Sequence, residues 1–183
     1  MRTLDEDVFE IAGFLSPQEC RNLIDEAEGL GFESAGVGPG QQRIEAIRNN
    51  DRIVLRSPAW AAGFQARLLA FGLPSIDRQQ AVGFTDYWRF YRYAPGQRFK
   101  PHKDGASEQD GMRSRLTFMV YLNEAFMGGE TRFRARPGDA HGMAFDIAPE
   151  AGKALLFAHE RWHEGVPVLD GVKYAVRTDI LYG

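Results

Sequence analysis

The sequence predicts a mainly β fold with flanking α-helices. Two Ser-Pro steps, Ser16-Pro17 and Ser57-Pro58, each open a run of apolar residues at helical spacing. From residue 84 the pattern changes to short strand-like runs punctuated by Gly and Pro. No internal repeat, low-complexity run or linker divides the 183 residues. Many short strands over 84–183 fit an antiparallel, barrel-like sandwich, a jelly roll. We expect a single domain over 1–183, with a strand-and-helix support over 1–83 and a jelly-roll core over 84–183. The N-terminal helices would pack on the outside of that core.

Taken in order, residues 8–15 read as a short strand. Ser16 then offers an N-cap oxygen, and Pro17 fills the first helical position, where a missing N–H does no harm. Cys20, Leu23, Ile24, Ala27 and Leu30 follow at helical spacing, and Gly29 and Gly31 close the helix. Residues 35–50 contain Gly36, Gly38, Pro39 and Gly40 and then run from Arg43 to Asn50. This is a loop, long for a compact domain and a candidate flap. The second helix starts at Ser57-Pro58 and runs through Trp60, Phe64, Leu68 and Phe71 to about Gly72. Strands are expected at 87–94, 98–101, 115–122, 130–134, 153–158, 162–166 and 172–182.

Composition narrows the function classes. Apolar residues make up 44% and aromatics 12%, enough for a core without staples. A net charge of −3 gives no broad attraction to nucleic acid or anionic membrane. No apolar stretch approaches the roughly 20 residues needed to span a bilayer. The opening Met1–Asp7 is acidic and lacks the apolar centre of a signal peptide. The single cysteine, Cys20, cannot form an internal disulfide and reads as a small buried hydrophobe. These features fit a soluble protein of a reducing cytoplasm. Nothing in the sequence specifies an oligomeric state.

The chemistry-bearing residues cluster in the strand-rich half. His102 and Asp104 form a His-x-Asp triplet, and on a strand both side chains point the same way. A third ligand must come from elsewhere, and three other histidines exist: His141, His159 and His163. His141 lies in the turn-like Pro137–Gly142 and is expected at the surface. His159 ends the apolar run Ala154–Ala158 and has no downstream pattern. His163 is followed at fixed spacing by a cation, which makes it the preferred third ligand. Two imidazoles and one carboxylate bind one face of a ferrous ion and leave the other face open to a co-substrate and dioxygen. A His-x-Asp triplet alone is weak evidence, and ligand chemistry alone leaves iron and zinc close to even.

The cations are Lys173, ten positions after His163, and Arg177, fourteen after. Residues 173, 175 and 177 share one strand face, so both can point inward. A cation on a core strand needs a partner. A dianionic co-substrate such as 2-oxoglutarate supplies one, because its far carboxylate needs a buried cation beside the metal. The alternative is pairing with a structural carboxylate such as Asp179 or Glu164, and this stays open for Arg177. Tyr93 can offer its hydroxyl to the same carboxylate, against a reading as a core aromatic beside Trp88, Phe90 and Tyr91. Thr117 can line the pocket, against a reading as an ordinary strand residue.

The chain resembles the prolyl-4-hydroxylase-like branch of the 2-oxoglutarate/Fe(II) dioxygenases. The matching blocks are Tyr93-Ala94-Pro95-Gly96-Gln97, Pro101-His102-Lys103-Asp104, Leu116–Asn123 with Gly128-Gly129-Glu130-Thr131, and His163–Val168 with Gly171 and Lys173. They span about 87–182 in the family's order and spacing; the opening Phe14–Cys20 matches less specifically. The resemblance implies a double-stranded β-helix core, jelly-roll and cupin-like. It implies iron on His102, Asp104 and His163, 2-oxoglutarate on Lys173 with Tyr93 hydrogen-bonded to it and Thr117 nearby, and O2 as oxidant, with ascorbate as a candidate accessory. The implied activity is hydroxylation of a C–H bond, with release of succinate and CO2. Trp162 before the distal histidine and the closing Arg177-Thr178-Asp179 depart from the pattern, and no separate peptide-binding domain is present. Prolyl specificity is therefore not carried over.

The substrate, a peptide or a small organic molecule, is not identified. Arg132, Arg134 and Arg136 alternate on one strand face, and Arg98, Lys100 and Lys103 flank the metal motif. A basic rim for an acidic substrate is one reading, and a solvated outer face is the favoured one. Trp88 and Trp162 read first as core aromatics rather than stacking platforms. Two other classes compete with the oxygenase. A non-catalytic jelly-roll module binding a metal or small acid does not explain why every ligand and the cation are present. A zinc hydrolase does not need the cation.

Overall fold

The computed structural model describes residues 1–35, 46–134 and 144–183. Strands β1 (Arg2–Asp5) and β2 (Val8–Ile11) precede helix α1 (Pro17–Leu30). β3 (Glu33–Ser34), β4 (Asp51–Arg56), helix α2 (Pro58–Leu69) and β5 (Ala81–Phe84) follow. Then come β6 (Tyr87–Tyr93), β7 (Phe99–His102), β8 (Glu108–Gln109) and β9 (Met112–Tyr121). β10 (Met127–Gly128), β11 (Thr131–Phe133), β12 (Phe145–Ile147) and β13 (Ala154–Ala158) lead to β14 (His163–Gly165), β15 (Val168–Asp170) and β16 (Lys173–Tyr182).

Both helices start where the Ser-Pro steps place them. Ser16 Oγ accepts from Glu19 N, and the Glu19 carboxylate accepts from Ser16 N, a reciprocal cap. Ser57 accepts from Trp60 N in the same way. Arg67 of α2 donates to the Glu19 carboxylate at 2.8 Å and to the Phe14 carbonyl, joining the last turn of α2 to the first turn of α1.

The strands form two facing sheets. The larger runs β1-β2-β13-β9-β16-β6-β4-β3, with β5 beside the C-terminal part of β16 and β8 beside β9. The smaller runs β12-β11-β14-β7, and β10 pairs with β15 apart from both. Alternation along each strand sorts the residues. One face of the larger sheet presents Trp88, Phe90, Phe118, Val120, Leu156 and Val176 to Cys20, Leu23 and Ala27 of α1 and Leu68 of α2. The opposite face presents Tyr121, Leu155 and Phe157 to Phe133 and Ile147 of the smaller sheet. Each such fully buried side chain contributes roughly 1.5–3 kcal/mol. The helices thus cover the outside of the jelly roll, and the inner faces of its two sheets enclose the site.

Three expectations change. The N-terminal segment does more than support the core, because β2 pairs with β13 and β4 with β6, extending the larger sheet at both ends. β4 escaped notice because Ile53, Val54 and Leu55 run consecutively without alternation, close to the next helix cap. Strand β7 ends at His102, so Asp104 lies beyond it and is not its strand neighbour. Residues 36–45 of the expected flap lie outside the described residues. Its end, 47–50, packs on the strand before the metal motif, with Lys100 N donating to Ile47 O and Asn49 N to Arg98 O. Trp88 is 2% exposed and belongs to the core, whereas Trp162 is 40% exposed with the Lys103 ammonium over its ring.

Candidate metal centre

His102 and His163 end up opposite each other because β7 and β14 are neighbours, with the two residues as register partners. Asp104 follows β7 and is tied across the site by its own N–H, which donates to the His159 carbonyl at the end of β13. One ligand atom from each of His102, Asp104 and His163 lies within 4.8 Å of the others. His102 Nε2 is 3.8 Å from Asp104 Oδ1, and His163 Nε2 is 3.7 Å from Asp104 Oδ2.

The imidazoles are oriented for metal binding. His102 Nδ1 lies 2.8 Å from the Lys100 carbonyl and His163 Nδ1 2.9 Å from the Arg161 carbonyl. A carbonyl only accepts, so both Nδ1 atoms carry the hydrogen and both Nε2 lone pairs face the carboxylate. Phe99 stacks on His102 at 3.5 Å, and Phe157 meets His163 edge-on at 4.5 Å. Burial, and the other imidazole, push His102 down to about 3; burial also lowers His163. Both rings are therefore neutral ligands at physiological pH. Although burial opposes ionisation of Asp104, the Arg177 guanidinium and the Thr117 hydrogen bond hold its carboxyl well below the usual range. Neutral imidazoles, a fixed carboxylate and matching tautomers are the donor set that a divalent ion such as Fe(II) requires.

The cavity beside this triad is lined by Tyr93, Thr131, Met119, Gly165, Lys173 and Arg177, among others. Lys173 is 4% exposed, and its Nζ donates to the Gly129 carbonyl at 2.5 Å. Among the described residues no carboxylate comes within ion-pairing range of it; Glu130 acts only from farther away. Burial lowers the ammonium to about 8. Tyr93 pairs with Lys173 across β6 and β16, and its ring lies 5.4 Å from Nζ. Burial raises its phenol to about 12, so it stays a donor.

Arg177 and Thr117 line the same cavity but are already engaged. Arg177 Nη1 is 2.7 Å from Asp104 Oδ1, and Nη2 is 3.1 Å from Asp179 Oδ1. This is the carboxylate pairing that the sequence had left open. Thr117 Oγ1 donates to Asp104 Oδ2 at 2.6 Å. His159 is not among the three converging ligands; its Nδ1 meets Thr117 Oγ1 and its Nε2 meets Ser114 Oγ. His141 and Arg136 lie outside the described residues. Arg132 pairs with Asp146 and Arg134 with Glu164 on the outer face. Thr131, Met119 and Gly165 escaped the sequence reading because strand register, not local pattern, puts them at the cavity.

A jelly roll carrying two histidines and an aspartate beside a buried cation defines the non-haem iron oxygenase class. The chain belongs to the 2OG-Fe(II) oxygenase superfamily, whose model matches residues 88–178, and it falls in the prolyl 4-hydroxylase-like branch. A probable prolyl 4-hydroxylase of Arabidopsis thaliana is 27% identical over 91% of this chain and 66% of its own length. A second Arabidopsis relative is matched over 60% of its length, so the chain spans about two thirds or less of these relatives. The viral collagen prolyl hydroxylase of Paramecium Bursaria Chlorella virus-1, solved with 2OG, superposes with a TM-score of 0.66 at 26% identity over 96% of both chains. A Trichoplax adhaerens prolyl hydroxylase bound to a hypoxia inducible factor peptide gives a TM-score of 0.74 at 19% identity, covering 96% of this chain and 83% of that one. The last likeness speaks for the fold alone.

Proposed function

We propose that the protein is an Fe(II)- and 2-oxoglutarate-dependent dioxygenase that hydroxylates a C–H bond of a peptide or small organic substrate. The observation that carries this reading is the Lys173 ammonium, buried with no carboxylate within ion-pairing range among the described residues, in the cavity that holds the His-Asp-His set. A lone buried cation is costly, and a dianionic co-substrate reaching from the metal resolves it. His102, Asp104 and His163 hold Fe(II), Lys173 takes the far carboxylate of 2-oxoglutarate, and Tyr93 donates its hydroxyl to the same group. Fe(II) with 2-oxoglutarate and O2 supplies the oxidising power, and the co-substrate leaves as succinate and CO2. The chain's own part is to hold the ligands, to keep the site dry with Phe99, Phe157 and Met119, and to leave room above the metal for substrate. The relative solved with 2OG supports the co-substrate. We place the activity in one catalytic unit over 1–183. We also assign it to a reducing cytoplasm, a reading supported by the single buried, unpaired Cys20.

Incubation with Fe(II), ascorbate, O2 and 2-oxoglutarate labelled at C1 is expected to release labelled CO2, slowly in the absence of substrate. His102→Ala and Asp104→Ala are expected to abolish the release. Release that persists at the wild-type rate in Asp104→Ala overturns the proposal.

A further inference from the structure

His159 binds no ligand in the scheme above, yet it is 6% exposed and both ring nitrogens are engaged. The hydrogens can be assigned one by one. The Asp104 carboxylate faces the Arg177 guanidinium at 2.7 Å and has no hydrogen to give. Thr117 Oγ1, 2.6 Å from Asp104 Oδ2, spends its single hydrogen there. Thr117 must then accept from His159 Nδ1, 3.0 Å away, so Nδ1 carries the ring hydrogen. A neutral ring of that tautomer accepts at Nε2, and Ser114 Oγ donates to it at 2.8 Å. Ser114 Oγ in turn accepts from Ser107 N at 2.8 Å. Every hydrogen in this chain points toward Asp104, and aligned hydrogen bonds strengthen one another.

A second arm reaches the other oxygen. Ser107 Oγ donates to Asp179 Oδ2 at 2.8 Å, Asp179 Oδ1 accepts from Arg177 Nη2 at 3.1 Å, and Arg177 Nη1 meets Asp104 Oδ1. The two arms meet at Ser107 and close a ring of side chains around Asp104. Thr117, Asp179 and Ser114 in that ring are fully or almost fully buried. Because Nδ1 of the imidazole touches Thr117 and Nε2 touches Ser114, the ring of His159 links the two hydroxyls, and with the longer contact from Arg177 Nη2 at 3.4 Å it keeps the Thr117 hydrogen on Asp104.

We propose that His159 is a positioning residue for the metal-binding carboxylate, acting through Thr117 to fix which way Asp104 presents its oxygens to His102 and His163. This rests on the reading of Asp104 as a metal ligand. Groups behind a ligand typically contribute 10–100-fold in metal affinity.

The test uses the full chain with Mn(II), measured by calorimetry, and with Co(II), whose visible bands report coordination geometry. His159→Asn keeps an N–H near the Nδ1 position, and Thr117→Ser keeps the hydroxyl. His159→Leu and Thr117→Val remove those groups. The Leu and Val variants are expected to bind Mn(II) about tenfold more weakly or worse, with shifted Co(II) bands. The Asn and Ser variants are expected to stay within about threefold of wild type with unshifted bands. A merely structural histidine would lower the melting temperature without this split. A folded His159→Leu that holds Mn(II) as tightly as wild type overturns the proposal. Where that variant fails to fold, equal Mn(II) affinities for Thr117→Val and Thr117→Ser overturn it instead. Asp104→Ala separates the two ideas: if it retains Mn(II), the ligand assignment itself falls, whereas lost binding there with an intact His159→Leu sinks only the positioning role.

Discussion

At the scale of single residues, the proposed anchor Lys173 would tie co-substrate binding to pH. Its ordinary value is 10.5 and burial lowers it to about 8, which the more distant Glu130 offsets only in part. A lysine whose folded value is lowered binds fewer protons folded than unfolded between those two values. Stability attributable to this group therefore rises with pH across that window, and below it the buried charge costs about 3 kcal/mol. Co-substrate binding has the opposite sense, since only the ammonium attracts the carboxylate. Affinity for 2-oxoglutarate, measured by calorimetry with Mn(II) in place, is expected to fall as pH rises above about 8. Lys173→Arg should flatten the profile, and Lys173→Ala should weaken 2-oxoglutarate while sparing Mn(II). A flat wild-type profile would take the anchor away from Lys173. The sequence exposed this residue because a cation on a strand of Val, Ala and Ile is conspicuous. It could not show that Arg177, on the same face, is taken by Asp104 and Asp179. The pairing with Asp104 depends on the fold bringing the segment after β7 against β16.

At the scale of elements, legibility followed the strength of local chemistry. Helix α1 announced its first turn through Ser16-Pro17, and the structure adds Glu19 as the reciprocal half of the cap. The Arg67 hydrogen bond, with help from the Ser16 N–H, holds the Glu19 carboxyl down to about 2, so this junction persists well into acid. Ser16→Ala is expected to lower stability by about 1 kcal/mol in denaturant melts. Mn(II) affinity should not change, because α1 packs on the face of the larger sheet away from the metal. A change in metal affinity would mean that the two faces are coupled more tightly than their packing suggests. The two-residue strands β8 and β10 and the three-residue β12 and β15 carried no readable period. They exist because the fold brings partners to them, β9 to β8, β11 to β12, and β10 and β15 to each other, which is tertiary information. The short β7 misled in another way. A His-x-Asp triplet suggests two side chains on one strand face, yet the strand stops at the first ligand. The second is placed by the backbone bond from Asp104 N to the His159 carbonyl.

At the scale of the whole molecule, the candidate metal site joins the two sheets. His102 and His163 lie on β7 and β14 of the smaller sheet. Asp104 is held by Thr117 on β9, by Arg177 on β16 and by the end of β13, all of the larger sheet. An ion bound by all three ligands therefore links the sheets across the open end of the jelly roll, and separating them in unfolding must break that link. Ligand binding to the folded state alone stabilises by RT ln(1 + [L]/Kd), about 2.7 kcal/mol at a hundredfold excess over Kd. For a chain of this size that corresponds to roughly 5–10 °C in melting temperature. Mn(II) is expected to raise the melting temperature by that amount in a single cooperative transition, and Asp104→Ala to abolish the gain. Chelator should reverse it. If Mn(II) binds yet leaves the melting temperature unmoved, it binds the unfolded chain as well as the folded one, and the site is not made by the fold. If Asp104→Ala keeps the gain, the larger sheet reaches the ion through some other group.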